Sequence, residues 1–509
     1  MLTLIDNFLN RITMYRLVLY FLTALIMAAM GLGAAGILPY SPILLLYSVA
    51  LITVACWLTN VVFSKFFDAP TNVESTYITA FILVLIITPP VSFVDFQFLE
   101  IAFWASVLAI TSKYIIAIRR KHIFNPAAFG VALTALALSQ FASWWVGTIS
   151  MLPFVLIGGL LVTRKTLRAD LVLSFLIGVT FSSLILYLSA PAILLTNAWK
   201  LLLTTQIPFF AFVMLTEPLT TPPKRSMRIV YGVITGFLSA PWVHLWSFYF
   251  TPELALLAGN VFSYLVSPKT KLLLKLKEKI AVATDTYDFR FTPDRKLKFR
   301  PGQYLEWTLG HPHPDSRGNR RYFTISSAPT EKDLAIGIKF NPQSSSFKKN
   351  LLSMKPGGTL VASQLSGEFL LPDDPAAKIV LIAGGIGVTP YRSMIKDLLD
   401  RGERRPIVLF YSNRNPADIA YKDVFDEAAS KLGIKTVYTL TDRESVPGGW
   451  SGYTGYIDEQ MIRKEVPDFL KRHFYLSGPH SMVIAFDKTL RAMGVHRSKI
   501  IQDFFPGFA

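Results

Sequence analysis

The sequence predicts a polytopic α-helical membrane domain of about ten spans fused to a two-part soluble module, a small antiparallel β-barrel and then an α/β domain with a parallel sheet. Three observations predict this. Apolar residues make up 52% of 509 and are unevenly spread, with long apolar runs filling 1–267. Between 280 and 371 short strand-like runs are separated by turn signals, as in a small antiparallel barrel. From 376 to 509 helical stretches alternate with β-branched runs, the first being Lys378-Ile379-Val380-Leu381-Ile382-Ala383, typical of a buried parallel strand. A basic linker, 268–279, joins the halves.

A spanning helix needs about 20 apolar residues. The candidates are 17–38, 43–63, 76–91, 97–115, 127–145, 148–163, 169–188, 200–216, 227–248 and 252–267. The charges support alternation. Arg11 and Arg16 precede the first span, and Lys65 follows the second. Lys113, Arg119, Arg120 and Lys121 follow the fourth, Arg164, Lys165 and Arg168 the sixth, and Lys224, Arg225 and Arg228 the eighth. All fall on one side, and Lys200 is the exception. The positive-inside rule then makes the N-terminus cytoplasmic, and an even number of spans returns the soluble half there, at the inner face of a cell membrane. The net charge of +17 reads as these loops, so nucleic acid is not an expected partner. The first apolar segment is too long for a signal-peptide core. One cysteine, Cys56, excludes an internal disulfide and a cysteine-held iron–sulfur cluster. No metal site is expected.

Two stretches differ from plain lipid-facing helix: His122-Ile123-Phe124-Asn125-Pro126-Ala127-Ala128 and Met214-Leu215-Thr216-Glu217-Pro218-Leu219-Thr220. Each puts a polar residue before a proline at a membrane boundary. They read either as loop turns with helix starts at Pro126 and Pro218, or as broken helices around a site whose polar groups are Asn125 and Glu217. Both readings stay open. The pair resembles signature segments of the membrane subunits of Nqr-type sodium-pumping NADH:quinone reductases and Rnf-type electron-transport complexes. That family attaches FMN to a threonine in a segment resembling Asp-x-x-Ser-x-Ala-Thr. The chain's one Ala-Thr pair, Ala283-Thr284, lies in the soluble half without the rest of the motif, so covalent FMN is not expected. A non-covalent FMN or other flavin, or a quinone, stays open for this half.

In the soluble half, Pro301-Gly302-Gln303-Tyr304 is a turn into an aromatic strand. Arg320-Arg321-Tyr322-Phe323-Thr324-Ile325-Ser326 puts an arginine and a ring on a strand, suited to a phosphate and a flat heterocycle. Ser344-Ser345-Ser346 opens a short helix, as a phosphate seat or an ordinary cap. Gly384-Gly385-Ile386-Gly387-Val388-Thr389-Pro390 follows the first parallel strand, where glycines let backbone approach a pyrophosphate. Ser477-Gly478-Pro479-His480 ends a later strand, and Asp503-Phe504-Phe505 lies near the C-terminus.

In this order, the motifs resemble the ferredoxin-NADP reductase superfamily over 272–509. The resemblance implies an FAD barrel at 280–371 and an NAD(P) domain at 376–509. It implies that Arg321 binds FAD phosphates, with Tyr322, Phe323, Thr324 and Ser326 in the same flavin segment, Phe323 and Thr324 against the isoalloxazine. Ser345 and Ser346 would hold the pyrophosphate. Gly384, Gly385, Gly387, Thr389 and Pro390 would receive NAD(P)H phosphates, with Gly478 and Pro479 beside them. Ser477 stands where a cysteine is common, which bears on the hydride-transfer rate more than on binding, and Phe504 or Phe505 would shield the flavin face that nicotinamide must reach. Ser412 and Arg414 follow the second strand; Arg414 would meet a 2′-phosphate or be a solvated loop arginine, so NADH and NADPH stay open.

Together the resemblances imply a membrane-bound, flavin-dependent NAD(P)H:acceptor oxidoreductase. Hydride passes to FAD, and electrons pass into or across the bilayer to quinone, a second flavin or an extracytoplasmic acceptor, with further electron-transfer subunits open. Two alternatives stand beside it. A haem-carrying reductase of the ferric reductase or NADPH oxidase type needs four histidines, and the membrane half has only His122 and His244, so haem is not expected. Alternatively the membrane half is an anchor or transporter and the flavin module serves a soluble acceptor.

Overall fold

The computed structural model describes residues 5, 8–9, 12–67, 73–118, 121–189, 206–240, 242–246, 248–267, 271–312, 314–315 and 318–503. Arg11, Arg119, Arg120, Lys200, Pro268, Phe504 and Phe505 lie outside them. The chain divides into two compact units, Met1–Lys269 and Thr270–Ala509.

The first unit is helical: α1 (Met14–Ala34), α2 (Pro42–Phe66), α3 (Val73–Ile86), α4 (Phe96–Ile115), α5 (Pro126–Leu138), α6 (Leu152–Thr166), α7 (Ala169–Ser189), α8 (Arg225–Leu238) and α9 (Pro252–Val266). Caps set the starts. Thr13 accepts from the Arg16 N–H, Asp95 from Phe98 and Asn125 from Ala128, while Pro42, Pro126 and Pro252 sit in first turns. Small residues let α7 and α8 touch: a Cβ at Gly232 would lie 2.1 Å from Ser174 Oγ, and one at Gly236 2.1 Å from Phe175 O.

The span count needs correction. Among the described residues three helices, α1, α2 and α4, are long and apolar enough to cross a membrane, not about ten. Several of the other apolar runs form shorter helices. α5 has 13 residues, α8 14 and α9 15. At about 1.5 Å per residue these fall short of a bilayer core of roughly 30 Å. The run expected at 127–145 stops at Leu138, because Ser139 turns left-handed with φ 55°. The described part of 200–216 is a short turn, Ile207–Phe209, running into a π-helix, Phe210–Met214.

The second unit opens with β1 (Leu272–Ala283), so most of the expected linker 268–279 is barrel strand. Leu272, Leu274 and Leu276 point inward and alternate with the exposed Leu273, Lys275 and Lys277, which is strand rather than tether behaviour. Then follow β2 (Thr286–Pro293), β3 (Tyr304–Thr308), β4 (Arg320–Thr324), β5 (Leu334–Lys339), α10 (Ser346–Ser353) and β6 (Thr359–Ser366). They form one antiparallel sheet, ordered β4-β3-β6-β1-β2-β5, around Phe289, Phe291, Trp307 and Phe347.

The α/β part has β7 (Ile379–Gly384), α11 (Thr389–Arg401), β8 (Ile407–Asn413), α12 (Lys422–Leu432), β9 (Lys435–Leu440), β10 (Tyr453–Thr454), α13 (Glu459–Glu465), β11 (His473–Ser477), α14 (His480–Ala492) and β12 (Ile500–Asp503). All its pairings are parallel, in the order β10-β9-β8-β7-β11-β12. β7 is buried along its whole length, as its unbroken apolar run predicts. Winding reverses between β7 and β11, and such a switch point leaves a crevice at the strands' carboxyl ends.

Candidate functional site

The crevice carries the glycine motif. β7 ends at Gly384; Gly385 takes φ +53°, and Thr389 and Pro390 start α11. The loops after β7 and β11 meet at backbone distance. A Cβ on Gly387 would lie 2.6 Å from both Gly478 Cα and Ser477 O. One on Gly384 would lie 2.4 Å from Met482 Sδ and 3.2 Å from Pro479 Cδ. Any larger residue therefore pushes apart the two loops that frame the crevice. Ser477 is buried beside Ala383 and Asp503 in strand register. Ser412 lies within β8 opposite Gly384, and Arg414 just beyond is exposed. Pro390 occupies the first turn of α11, where its missing N–H costs nothing.

Asp503, at the end of β12, has its carboxyl pushed up to about 7 by burial. A raised acid stabilises the fold fully below the unfolded value near 4 and loses that contribution as pH rises to about 7. The difference is on the order of 4 kcal/mol at most. Asp503→Asn is expected to flatten the fall in melting temperature of the soluble unit over that interval, as read by calorimetry. An unchanged pH slope would count against it.

The barrel carries a second group of predicted residues. Arg321 and Phe323 share the face of β4 that meets α10: the Arg321 guanidinium lies 5.3 Å from the Phe347 ring centre, and the Phe323 ring 5.9 Å. Tyr322 points the other way, donating to Glu306 Oε2 at 2.8 Å. Thr324 is buried in register with Tyr304. Ser345 caps α10, accepting from the Lys348 N–H at 3.4 Å. The Ser346 N–H donates to Asp315 Oδ2 at 2.9 Å, and Ser346 Oγ meets His311 Nε2 at 3.0 Å. Asp315 Oδ1 is 3.9 Å from Arg321 Nη2. This helix end and guanidinium already hold one carboxylate, so the donor set fits a phosphate. Ser326 is turned elsewhere: its hydroxyl donates to Asp288 Oδ1 at 2.9 Å, and its carbonyl accepts from Arg392 at 3.0 Å. His311 and Asp315 carried no sequence signal, because a loop without a motif announces nothing.

In the membrane unit the two proline stretches meet. Asn125 Nδ2 donates to Glu217 Oε2 at 2.8 Å. The Asn125 N–H donates to Asn260 Oδ1 at 2.7 Å, and Asn260 Nδ2 reaches Tyr231 Oη at 3.1 Å. Thr220 Oγ1 donates to Glu217 Oε2 at 3.3 Å, and His122 Nε2 lies 3.8 Å from Glu217 Oε1. The expected helix start holds at Pro126 but not at Pro218, which lies in a turn, the next helix beginning at Arg225. Asn125 is a helix cap, and its amide also holds Glu217. Asn260 sits in an apolar run, where a single polar residue is easily passed over. His244 is apart from this cluster in contacts, its Nδ1 meeting Trp246 O at 2.7 Å.

The family described as "Oxidoreductase NAD-binding domain" matches residues 381–488, which hold the crevice loops. Within the C-terminal half this match covers the α/β part alone, and membrane-length helices lie in the same chain. The reductase component of glycine betaine monooxygenase from Pseudomonas aeruginosa is 29% identical over 232 residues, 44% of this chain and 63% of its own. NADH-cytochrome b5 reductase 1 of Ajellomyces capsulatus is 28% identical over 293 residues, 54% of this chain and 91% of its own. One component of the Na(+)-translocating NADH-quinone reductase of Neisseria meningitidis is 31% identical over 205 residues, 37% of this chain and 49% of its own. The chain spans only 63% of the length of the first of these relatives.

Proposed function

We propose that the chain is a membrane-bound NAD(P)H oxidoreductase that passes electrons from a flavin in the soluble unit to an acceptor in or across the membrane. When bound, FAD supplies the conversion of a two-electron hydride into electrons released singly. The residues supply position. Arg321 and the N-terminus of α10 hold the flavin phosphates, and Phe323 with Thr324 borders its ring. The Gly384–Gly387 turn and the start of α11 receive the nucleotide phosphates, with Ser477, Gly478 and Pro479 framing the crevice.

The observation that carries the reading is the Asn125–Glu217 hydrogen bond. A plain anchor has no need of an asparagine and a carboxylate joined from distant stretches, and polar groups inside such a unit are expensive unless used. The module's likeness to a component of a NADH-quinone reductase points the same way as the membrane stretches' resemblance to that type of complex. A quinone or a non-covalent FMN is the acceptor class that suits the cluster. The soluble unit and N-terminus face the cytoplasm on this reading, and further electron-transfer subunits extend the path.

The test uses the full chain in lipid nanodiscs. NADH or NADPH is expected to bleach the flavin, and a quinone analogue to restore its colour. The same quinone should be reduced at least ~10-fold more slowly by residues 270–509 alone. Equal rates for fragment and full chain would support the anchor reading instead.

A further inference from the structure

We propose that Tyr421, through its buried hydrogen bond to Asp288, is a positioning residue that fixes the NAD(P) domain against the flavin barrel, with Gly337 setting how closely they approach. The inference rests on the function proposed above and adds the device that sets the gap hydride must cross.

Tyr421 Oη donates to Asp288 Oδ1 at 2.8 Å, across from the α/β part to barrel strand β2. Asp288 is 1% exposed and accepts on the same oxygen from Ser326 Oγ at 2.9 Å, while Arg290 Nε stands 3.5 Å from its other oxygen. Ser326 lies two residues past Thr324, at the end of the strand that carries Arg321 and Phe323. The opposite side is built from α11, which starts at the nucleotide turn. Arg392 donates to Ser326 O at 3.0 Å and to both Glu331 oxygens, and its guanidinium lies 5.7 Å from the Tyr421 ring centre. Ser393 Oγ donates to Ser327 O at 2.7 Å. One contact set thus joins the exit of the flavin strand to the helix behind the nucleotide loop.

Two features separate this from ordinary packing. Tyr421 holds φ 56° and ψ 29°, a left-handed conformation that is rare for a bulky side chain. Such strain persists where surroundings over-determine it. Gly337 on β5 meets Tyr421 directly: a Cβ there would lie 2.3 Å from Tyr421 Oη and 2.8 Å from Thr389 Cγ2. The glycine is needed for close approach, and Thr389 belongs to the nucleotide turn itself. Hydride transfer depends steeply on geometry, and a misplacement of about 1 Å from a distant change can cost ~100-fold.

The test compares Tyr421→Phe, Gly337→Ala and the double variant in the full chain with FAD bound. In stopped flow, Tyr421→Phe is expected to slow flavin bleaching by ~10-fold, with nucleotide affinity and flavin content unchanged. By hydrogen exchange, the amides of Ser326 and Ala335 are expected to lose ~10-fold protection. Gly337→Ala acts in the same direction. The double variant should be no slower than Gly337→Ala alone, since losing the hydroxyl relieves the clash. Wild-type bleaching rates in both single variants, or losses that multiply in the double, overturn the proposal. If neither nucleotide bleaches the wild type, the functional reading falls. The exchange arm then decides the latch by itself, unchanged protection in both single variants refuting it and lost protection upholding the contact.

Discussion

Replacing Arg321 with alanine is expected to strip the soluble unit of flavin. The guanidinium is 5% exposed and held rather than mobile: Nη1 donates to Gly318 O at 3.2 Å and to Arg320 O at 2.6 Å, and the plane lies over Phe347. Its side chain is therefore oriented before any ligand arrives, which lowers the entropic cost of the contact. A charge-assisted hydrogen bond contributes about 1.5–3 kcal/mol, so losing a two-pronged phosphate contact weakens binding by roughly 10²–10⁴-fold. Flavin-to-protein ratio after gel filtration, and a titration of the stripped protein with FAD, read this directly. Arg321→Lys should fall between, because an ammonium is a point charge that cannot reproduce the fork. Stoichiometric flavin in Arg321→Ala would remove this arginine from the site. The fold itself should survive, since Phe347 stays packed against Phe323.

What was legible in the sequence follows from how local each feature is. The run 378–383 and the glycines after it announced a buried parallel strand and a close turn, because burial on both faces and the need for space act on consecutive residues. Strand alternation put an arginine and a ring on one face of 320–324, and the motif's resemblance, not alternation, picked Arg321 and Phe323 over Arg320 and Tyr322. Apolar composition marked the membrane helices in order but not their lengths. A helix end such as Ser139 depends on one residue's backbone angle, which hydropathy does not carry. The contacts that assemble the sites were not visible. Tyr421 and Asp288 are 133 positions apart, and Asn125 and Asn260 135. Ser326 shows the limit well: its place in the motif suggested the cofactor, whereas its hydroxyl serves the joint between the two parts of the soluble unit.

The membrane cluster supplies the second large effect. Asn125→Ala is expected to disable transfer to the membrane acceptor while sparing the soluble unit. One side chain there does two jobs, capping α5 through Ala128 N–H at 3.1 Å and donating to Glu217 at 2.8 Å. Losing the cap costs about 1 kcal/mol. Leaving a carboxylate short of its donor costs about 1–3 kcal/mol more, with apolar surroundings raising it. Quinone reduction in nanodiscs is expected to fall at least ~10-fold, while NAD(P)H-driven ferricyanide reduction, which needs only the flavin module, stays within about 2-fold. Asn125→Asp separates chemistry from folding. It keeps the capping oxygen, which caps equally well, and sets a second carboxylate against Glu217. That second negative charge, with the amide donor gone, should slow quinone reduction at least ~10-fold while the helix start is kept. If Asn125→Asp folds and reduces quinone at the wild-type rate, the cluster is a helix joint and the electrons leave by another route.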